Sequence, residues 1–457
     1  VANVVSGLKE RVFYTDSIGT EKPTCARTSQ ELSHLVSTLA ANIGTCSRVT
    51  GREFIESRTG SKRHVYTRAR SDLSDSPRTL GELARLAFFT KYENTLVLKP
   101  QVPRIISPRD PRFNYLLGRY TVAIEHKVFD ALATLVGSGK VIAKGLTQQE
   151  KAELIVSKLK PGYACVGLDA SRFDQTIGRV LLKAEHSLYT KLFPGDPLLP
   201  HLLRCQLRNR GSARCHDGVV HADIGPMRCS GDQNTSLGNC IISVLLAVLF
   251  CEEHDLVDFD ILCDGDDLLL FVPTESLPLL DGLTAWYLRW GMRMKVEAPA
   301  YVPEQVEFCQ SRPVWLPEGW LLVRNPVKCF ATDFAGGARL GSMDKFVEHL
   351  RAVGLCGLSM AAGVPLLQAY YSWAVTNGKT GKFHFQDLAG VGYQYRIQVR
   401  AGFLPSCKPV DARTRESFAR AFSINEGDQL DIEEAISNMA FCRHNDGEFP
   451  QLPLFTI

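Results

Sequence analysis

Gly265-Asp266-Asp267 sets two adjacent carboxylates between the apolar runs 260–263 and 268–272. Neighbouring anions beside hydrophobic segments are costly unless something positive neutralises them. A divalent cation would do so, and Mg²⁺ takes one or two protein carboxylates and completes its shell with water and phosphate oxygens. Alone, the tripeptide also fits an Asp-rich solvated turn. A second pair lies upstream. In Val166-Gly167-Leu168-Asp169-Ala170-Ser171-Arg172-Phe173-Asp174 one Asp closes an apolar run and another follows five positions later. Asp169 and Asp266 would then both stand at strand ends, where neighbouring strands could hold two metals for in-line phosphoryl transfer. The third element is Ser230-Gly231-Asp232-Gln233-Asn234-Thr235-Ser236-Leu237-Gly238-Asn239, a polar loop running into an apolar helix. Thr235 and Asn239 are four apart and share a helix face. A Ser/Asn cap accounts for the loop, but not for an Asn one turn inside. A buried amide needs partners, and a ribose hydroxyl plus the Asp174 carboxylate would serve.

The elements that must position these groups are readable from periodicity. Residues 164–168 form a buried strand ending at Asp169, and 260–263 with 268–272 form two strands joined by a tight turn. Residues 234–254 read as a helix with a broad apolar surface, and 28–41 as a short amphipathic one. Segments 346–353 and 365–375 are helical and belong to a separate C-terminal helical domain. Tyr370-Tyr371-x-Trp373 fits core packing there, with stacking on RNA as the alternative. The fold class is α+β with a sheet at its centre.

Composition bounds the rest. With 457 residues and 45% hydrophobic side chains the chain can bury a large core. A 22% charged fraction excludes wholesale disorder. The apolar run 240–251 is too short for a membrane span. Fourteen scattered cysteines read as reduced thiols of a cytosol-facing protein. Cys205, Cys215, His216, His221 and Cys229 lack a tight zinc-ligand spacing. The start at Val1 rather than Met points to a processed or excised chain. The net charge of +3 conceals an asymmetry: between Arg48 and Arg119 there are 15 basic and 7 acidic residues, against 37 and 42 elsewhere. Such a segment suits a polyanion, or is a solvated basic face.

Asp169-x4-Asp174, Ser230-Gly231-x3-Thr235-x3-Asn239 and Gly265-Asp266-Asp267, in this order, resemble motifs A, B and C of viral RNA-directed RNA polymerases. Leu98-Lys99-Pro100-Gln101-Val102-Pro103-Arg104 with Ile105-Ile106-Ser107-Pro108-Arg109-Asp110-Pro111-Arg112 is similar to the basic motif F of tombusvirus-like plus-strand viruses, in the flavivirus-like supergroup. The segments 167–174 and 297–310 and Arg324-Asn325-Pro326 sharpen that assignment, and the likeness runs over about residues 59–328. The resemblance implies a right-hand polymerase: fingers and fingertips with motif F over 1–136, palm over 137–176 (motif A), a fingers insertion over 177–229, palm again over 230–318 (motifs B to E), and a mainly helical thumb over 319–457. The palm would be an antiparallel sheet flanked by helices.

Carried over by residue, the resemblance implies that Asp169, Asp266 and Asp267 hold Mg²⁺, for which Mn²⁺ can substitute. Asp174, Asn239 and Thr235 would read the ribose 2′-OH, the group that separates RNA from DNA precursors, and Ser230 would steady the sugar. Lys99, Arg104 and Arg109 would line the path of the incoming nucleotide, as forked guanidinium donors suit phosphate. Lys295 resembles the motif D general acid, or is a snorkelling surface lysine. Lys62, Arg63, Lys91, Gly231, Cys309 and Gln310 would contact RNA. After Lys91-x-Glu93 the stretch 94–98 is neutral where relatives continue with a basic residue. The implied partners are a single-stranded RNA template, nascent RNA, ribonucleoside triphosphates and a viral replication co-factor protein. The implied place is the host cytoplasm, at replication complexes on intracellular membranes, attached through sequence outside this chain. Primer-independent initiation is implied as well. A reverse transcriptase would usually carry a bulky side chain at position 174. An RNA-binding module has no use for the three aspartates, and a nuclease none for the sugar-reading pair.

Overall fold

The computed structural model describes residues 1–13, 22–91, 102–335, 342–381 and 391–439. Lys99 lies outside them, so its expected phosphate contact has no structural counterpart here. The chain is α+β and divides into two compact units: Val1–Lys91, Gln101–Ile142 and Val166–Pro299 make the first, and Ala143–Cys165 with Ala300–Ile457 belong to the second.

In the first unit the principal sheet has four strands, ordered Asp260–Asp264, Asp267–Pro273, Tyr163–Ala170, Met294–Val296. The first two form the expected hairpin, antiparallel from Asp260↔Phe271 to Asp264↔Asp267. Only two residues remain to turn it. Gly265 has φ +87° and Asp266 does not share that left-handed conformation, the pattern of a type II′ turn, which needs glycine first. The helix Thr235–Glu253 packs beside this sheet, and every residue from Leu237 to Cys251 is buried. At 19 residues it is one residue shorter at each end than the 234–254 reading, and it extends beyond the apolar run 240–251. By length and composition it could cross a bilayer, but 83% of its most apolar window is buried inside the protein, which makes it a core helix.

Around it gather Leu181, Leu188 and Leu192 of the helix Arg179–Leu192, Leu35 and Leu39 of Ser33–Ile43, and Phe113 and Leu117 of Pro111–Val136. A smaller apolar cluster joins Val4, Leu86, Ile105 and Met227. It lies where the strand Leu86–Ala87 pairs with Arg210–Cys215 and where Phe89–Thr90 pairs with Ile105–Ile106.

The second unit has its own core. The hairpin Ser311–Leu316 and Gly319–Arg324 lies near the helices Met343–Ala361 and Leu367–Asn377, with Val314, Leu350, Val353 and Tyr371 inside. The second lies within two residues of the expected 365–375, whereas the first encloses the expected 346–353 but runs from 343 to 361. Tyr370, Tyr371 and Trp373 are buried in this core. Tyr371 also donates to Asp333 at 2.6 Å, and Arg324 clamps the same carboxylate through both terminal nitrogens at 2.6 and 2.9 Å.

Candidate active site

The strand Tyr163–Ala170 alternates so that Val166, Leu168 and Ala170 are buried and Asp169 is exposed. Its neighbour in the sheet begins at Asp267, directly after the Gly265-Asp266 turn, and Asp266 lines one cavity with Leu168, the residue before Asp169. Asp266 is exposed and Asp267 half-buried. A small cavity lined by Leu168, Phe173, Ser243, Asp266 and Leu268 marks the junction of strand, hairpin and helix. On its other flank Asp169 pairs in register with Lys295, whose ammonium is 3.4 Å from Glu297 and largely exposed. Cross-strand partners share a face of a sheet, so the expected proton donor and the expected metal ligand face the same way.

After Ala170 the chain turns through Arg172 at φ +56° into the one-turn helix Phe173–Thr176. That reversal carries Asp174 back to the 235–253 helix, where Asn239 donates its amide to the Asp174 carboxylate at 2.9 Å. The sequence called for this pair, and the structure brings it together. One helical turn on, Ser243 donates to the Gly265 carbonyl at 2.6 Å. A single helix face thus sets Asp174 and the Gly265-Asp266 turn in fixed relation. Thr235, one turn before Asn239, gives its hydroxyl proton to the Cys229 carbonyl at 3.1 Å.

One of the basic residues is placed differently from expectation, and the polar loop packs against its segment. Arg109 does not line an open path: its side chain is 0% exposed and donates to Asp232 at 2.6 Å, Asn209 at 2.6 Å and the Ala84 carbonyl at 2.7 Å. Burial pushes its guanidinium pKa down, and the Asp232 charge outweighs that and holds it above the ordinary arginine value. Asn234 is the N-cap residue of its helix but does not cap with its side chain; it donates to Glu185 and accepts from Gln206, both at 2.7 Å. Gly231, at φ +111°, lies where a β-carbon would be 3.3 Å from the Pro108 backbone. Ser230 accepts from the Ser107 amide at 2.7 Å. The polar loop is therefore docked on the end of the basic segment by a backbone bond, a close glycine contact and a buried ion pair.

The remaining cations are exposed. Lys91 donates its backbone N–H to Arg104 at 2.8 Å, extending the 89–90/105–106 ribbon by one pair and setting the two basic residues opposite each other. Lys62 and Arg63 stand exposed on the first turn of the helix Gly60–Asp75, which is tied to the polar loop by Tyr66 donating to Gln233 at 3.0 Å. In the second unit Cys309 and Gln310 occupy a two-residue turn at φ +51° and +60°, closed by paired backbone bonds between Phe308 and Ser311. Non-glycine residues adopt that conformation at a cost. Gln310 also accepts from Lys328 at 2.7 Å.

Sequence reasoning missed the polar layer beneath Asn239. Arg228 donates from Nε to the Asn239 carbonyl at 3.1 Å and pairs through its terminal nitrogens with Glu185. Both side chains are fully buried. Burial opposes the charge of Arg228, and Glu185 more than offsets this and raises its pKa. One signal was available: Leu181, Glu185, Leu188 and Leu192 fall at i, i+4, i+7 and i+11, so a carboxylate interrupts an apolar helix stripe. Among the described residues no group of three or more His, Cys, Asp or Glu makes a ready cage for a metal ion. Strand-end carboxylates suit an ion that draws its other ligands from phosphate and water.

The strand-end carboxylates, the helix-mounted amide on Asp174 and the loop docked on the basic segment all belong to the first unit of the fold. The chain belongs to the viral RNA dependent RNA polymerase family, whose sequence model matches residues 1–444. It is 34% identical over 449 residues to the RNA-directed RNA polymerase of Pothos latent virus (isolate Pigeonpea/India), covering 96% of this chain and 59% of that relative. Against the namesake from tobacco necrosis virus (strain A) it is 34% identical over 453 residues, covering 95% and 60%. For carnation mottle virus the figures are 31% over 450 residues, 96% and 58%. The chain thus spans about three-fifths of the length of these relatives.

Proposed function

We propose that this chain is the polymerising part of a plus-strand virus replicase, adding ribonucleotides to the 3′-OH of RNA on an RNA template. The observation that carries this is the Asn239–Asp174 hydrogen bond beside the Asp169 and Asp266 strand ends. A nuclease needs the carboxylates but not a sugar reader, and a bulky side chain, as reverse transcriptases usually carry, is absent at position 174. Asp169, Asp266 and Asp267 would hold divalent cations, which when bound activate a hydroxyl and stabilise a leaving pyrophosphate.

The protein's own groups divide the remaining work. Asp174 accepts from the 2′-OH, and Asn239 keeps that carboxylate turned to the sugar. Lys295 presents an ammonium proton on the face of Asp169, where the pyrophosphate departs. Arg104 attracts the triphosphate, and Lys91, Lys62 and Arg63 the RNA backbone. The principal sheet is read as palm, residues 1–136 and 177–229 as fingers, and 319–457 as thumb, with Cys309 and Gln310 gripping the product strand. Primer-independent initiation, a viral co-factor protein and membrane-bound replication complexes in the host cytoplasm complete the reading.

The test is incorporation of labelled ribonucleotides on single-stranded RNA with Mg²⁺ or Mn²⁺, with and without primer. Template-dependent product is expected. In Asp266→Asn it falls to background while RNA binding stays near the parent's, because a metal ligand is lost and no backbone contact is. Activity within tenfold of the parent in that variant would refute the assignment.

A further inference from the structure

Behind the ribose-reading pair stand two side chains that touch no substrate. We propose that Glu185 and Arg228 are positioning residues for sugar selection: together they fix which way round the Asn239 amide sits, and through it the Asp174 carboxylate.

An asparagine amide can present either its oxygen or its nitrogen to a neighbour. Arg228 Nε is a donor only and the Asp174 carboxylate an acceptor only. With Arg228 Nε 3.1 Å from Asn239 Oδ1, the NH₂ is the group left to meet Asp174. The reverse orientation would set donor against donor and acceptor against acceptor. Arg228 can impose this only if it is itself immobile, and Glu185 holds its other end in an ion pair with no solvent contact. Glu185 is fixed in turn by Tyr189 and Asn234, each donating at 2.7 Å. The helix has also made room. At Gly238, beside Asn239, a β-carbon would collide with both the Glu185 carboxylate and the Arg228 guanidinium.

Buried ion pairs are often matched or bettered in stability by apolar groups of equal volume. A pair kept fully dry directly behind a selecting amide therefore fits a role in orientation better than one in stability alone. Its reach extends further: Gln206 donates to both Asn234 and Asp232, and Asp232 holds Arg109. An unbroken hydrogen-bonded line runs from the basic segment to Asp174.

The substrate in this inference rests on the polymerase reading, so the test uses binding as well as turnover. Affinities for adenosine triphosphate and 2′-deoxyadenosine triphosphate are measured with Mg²⁺ for the parent, for the charge-neutral double variant Glu185→Gln/Arg228→Gln, and for Arg228→Lys. The parent is expected to favour the ribonucleotide. Both variants lose at least fivefold of that preference by weakening the ribonucleotide, with the deoxynucleotide held within twofold. Arg228→Lys keeps the charge balanced but lacks the planar fork that reaches Glu185 and Asn239 together, so it gives the answer if the double variant fails to fold. An unchanged preference in a folded variant, or none in the parent, overturns the assignment. A folded parent that binds neither nucleotide removes the polymerase reading and this assignment with it; nucleotide binding with an unaltered preference removes this assignment alone.

Discussion

At the scale of single residues, the most instructive case is Arg109. Its sequence setting, in a proline-braced basic stretch, is that of a phosphate ligand, yet its fork is taken by Asp232, Asn209 and the Ala84 carbonyl. Type and spacing identified the residue as important but could not tell a cation that meets substrate from one that anchors the loop. That distinction depends on burial by partners distant in sequence, Ala84 at 25 positions, Asn209 at 100 and Asp232 at 123. The aspartates were legible because an anion at the end of an apolar strand has few structural uses. Glu185 showed only as a break in an apolar stripe and Arg228 not at all, since the two come from separate elements. Arg109→Ala is expected to lower stability by about 3–5 kcal/mol, the usual cost of leaving a buried charge such as Asp232 unpaired. Denaturant unfolding without nucleotide reads this directly. Parental stability with a raised KM would restore Arg109 to the nucleotide path.

At the scale of elements, the 235–253 helix organises the site. Its stripe of Thr235, Asn239 and Ser243 reaches the loop, Asp174 and the Gly265 turn in successive turns. Apolar periodicity located this helix within one residue at each end, and the hairpin and the 163–170 strand were equally plain, because each is both strongly patterned and buried. Helix starts at Thr50, Thr79 and Thr147 carry the Thr-x-x-Glu capping box, a signal readable from sequence. The short strands near 86–90 and 105–106 had too few residues to show a period. Gly238 is the element's anomaly: glycine inside a helix costs ~1 kcal/mol relative to alanine. Here alanine would strike a locked ion pair. Gly238→Ala is therefore expected to lower the melting temperature, since ~1–3 kcal/mol of overpacking exceeds the propensity gain. A higher melting temperature would show that the pair can shift.

At the scale of the whole molecule, the charge asymmetry and the buried polar line together predict how acid affects the fold. Residues 48–119 carry a local excess of positive charge, and every further proton adds to that repulsion. The imidazole of His186 lies one residue from Glu185, is buried, and meets Gln206 at 3.2 Å. Burial lowers its pKa below the ordinary 6.5; Glu185 pulls it up and Arg228 pushes it down, and the net direction is down. Above 6.5 the folded and unfolded chains are both neutral here and stability is fully present. As pH falls below 6.5, the unfolded chain takes a proton that the folded one refuses, so stability declines until the folded pKa is passed. Linkage caps the slope from this one site at about 1.4 kcal/mol per pH unit. Carboxylates with lowered pKa, such as Asp196 and Glu253, lose their contributions only in more acid solution. The window just below 6.5 therefore belongs to histidine. His186→Gln keeps an amide donor for Gln206 and removes the titration. Its denaturant stability is expected to fall less steeply than the parent's between about pH 6.5 and 5. Parallel slopes for the two proteins would mean that the folded state admits the proton, and that the line from Arg109 to Asp174 tolerates a charge beside it.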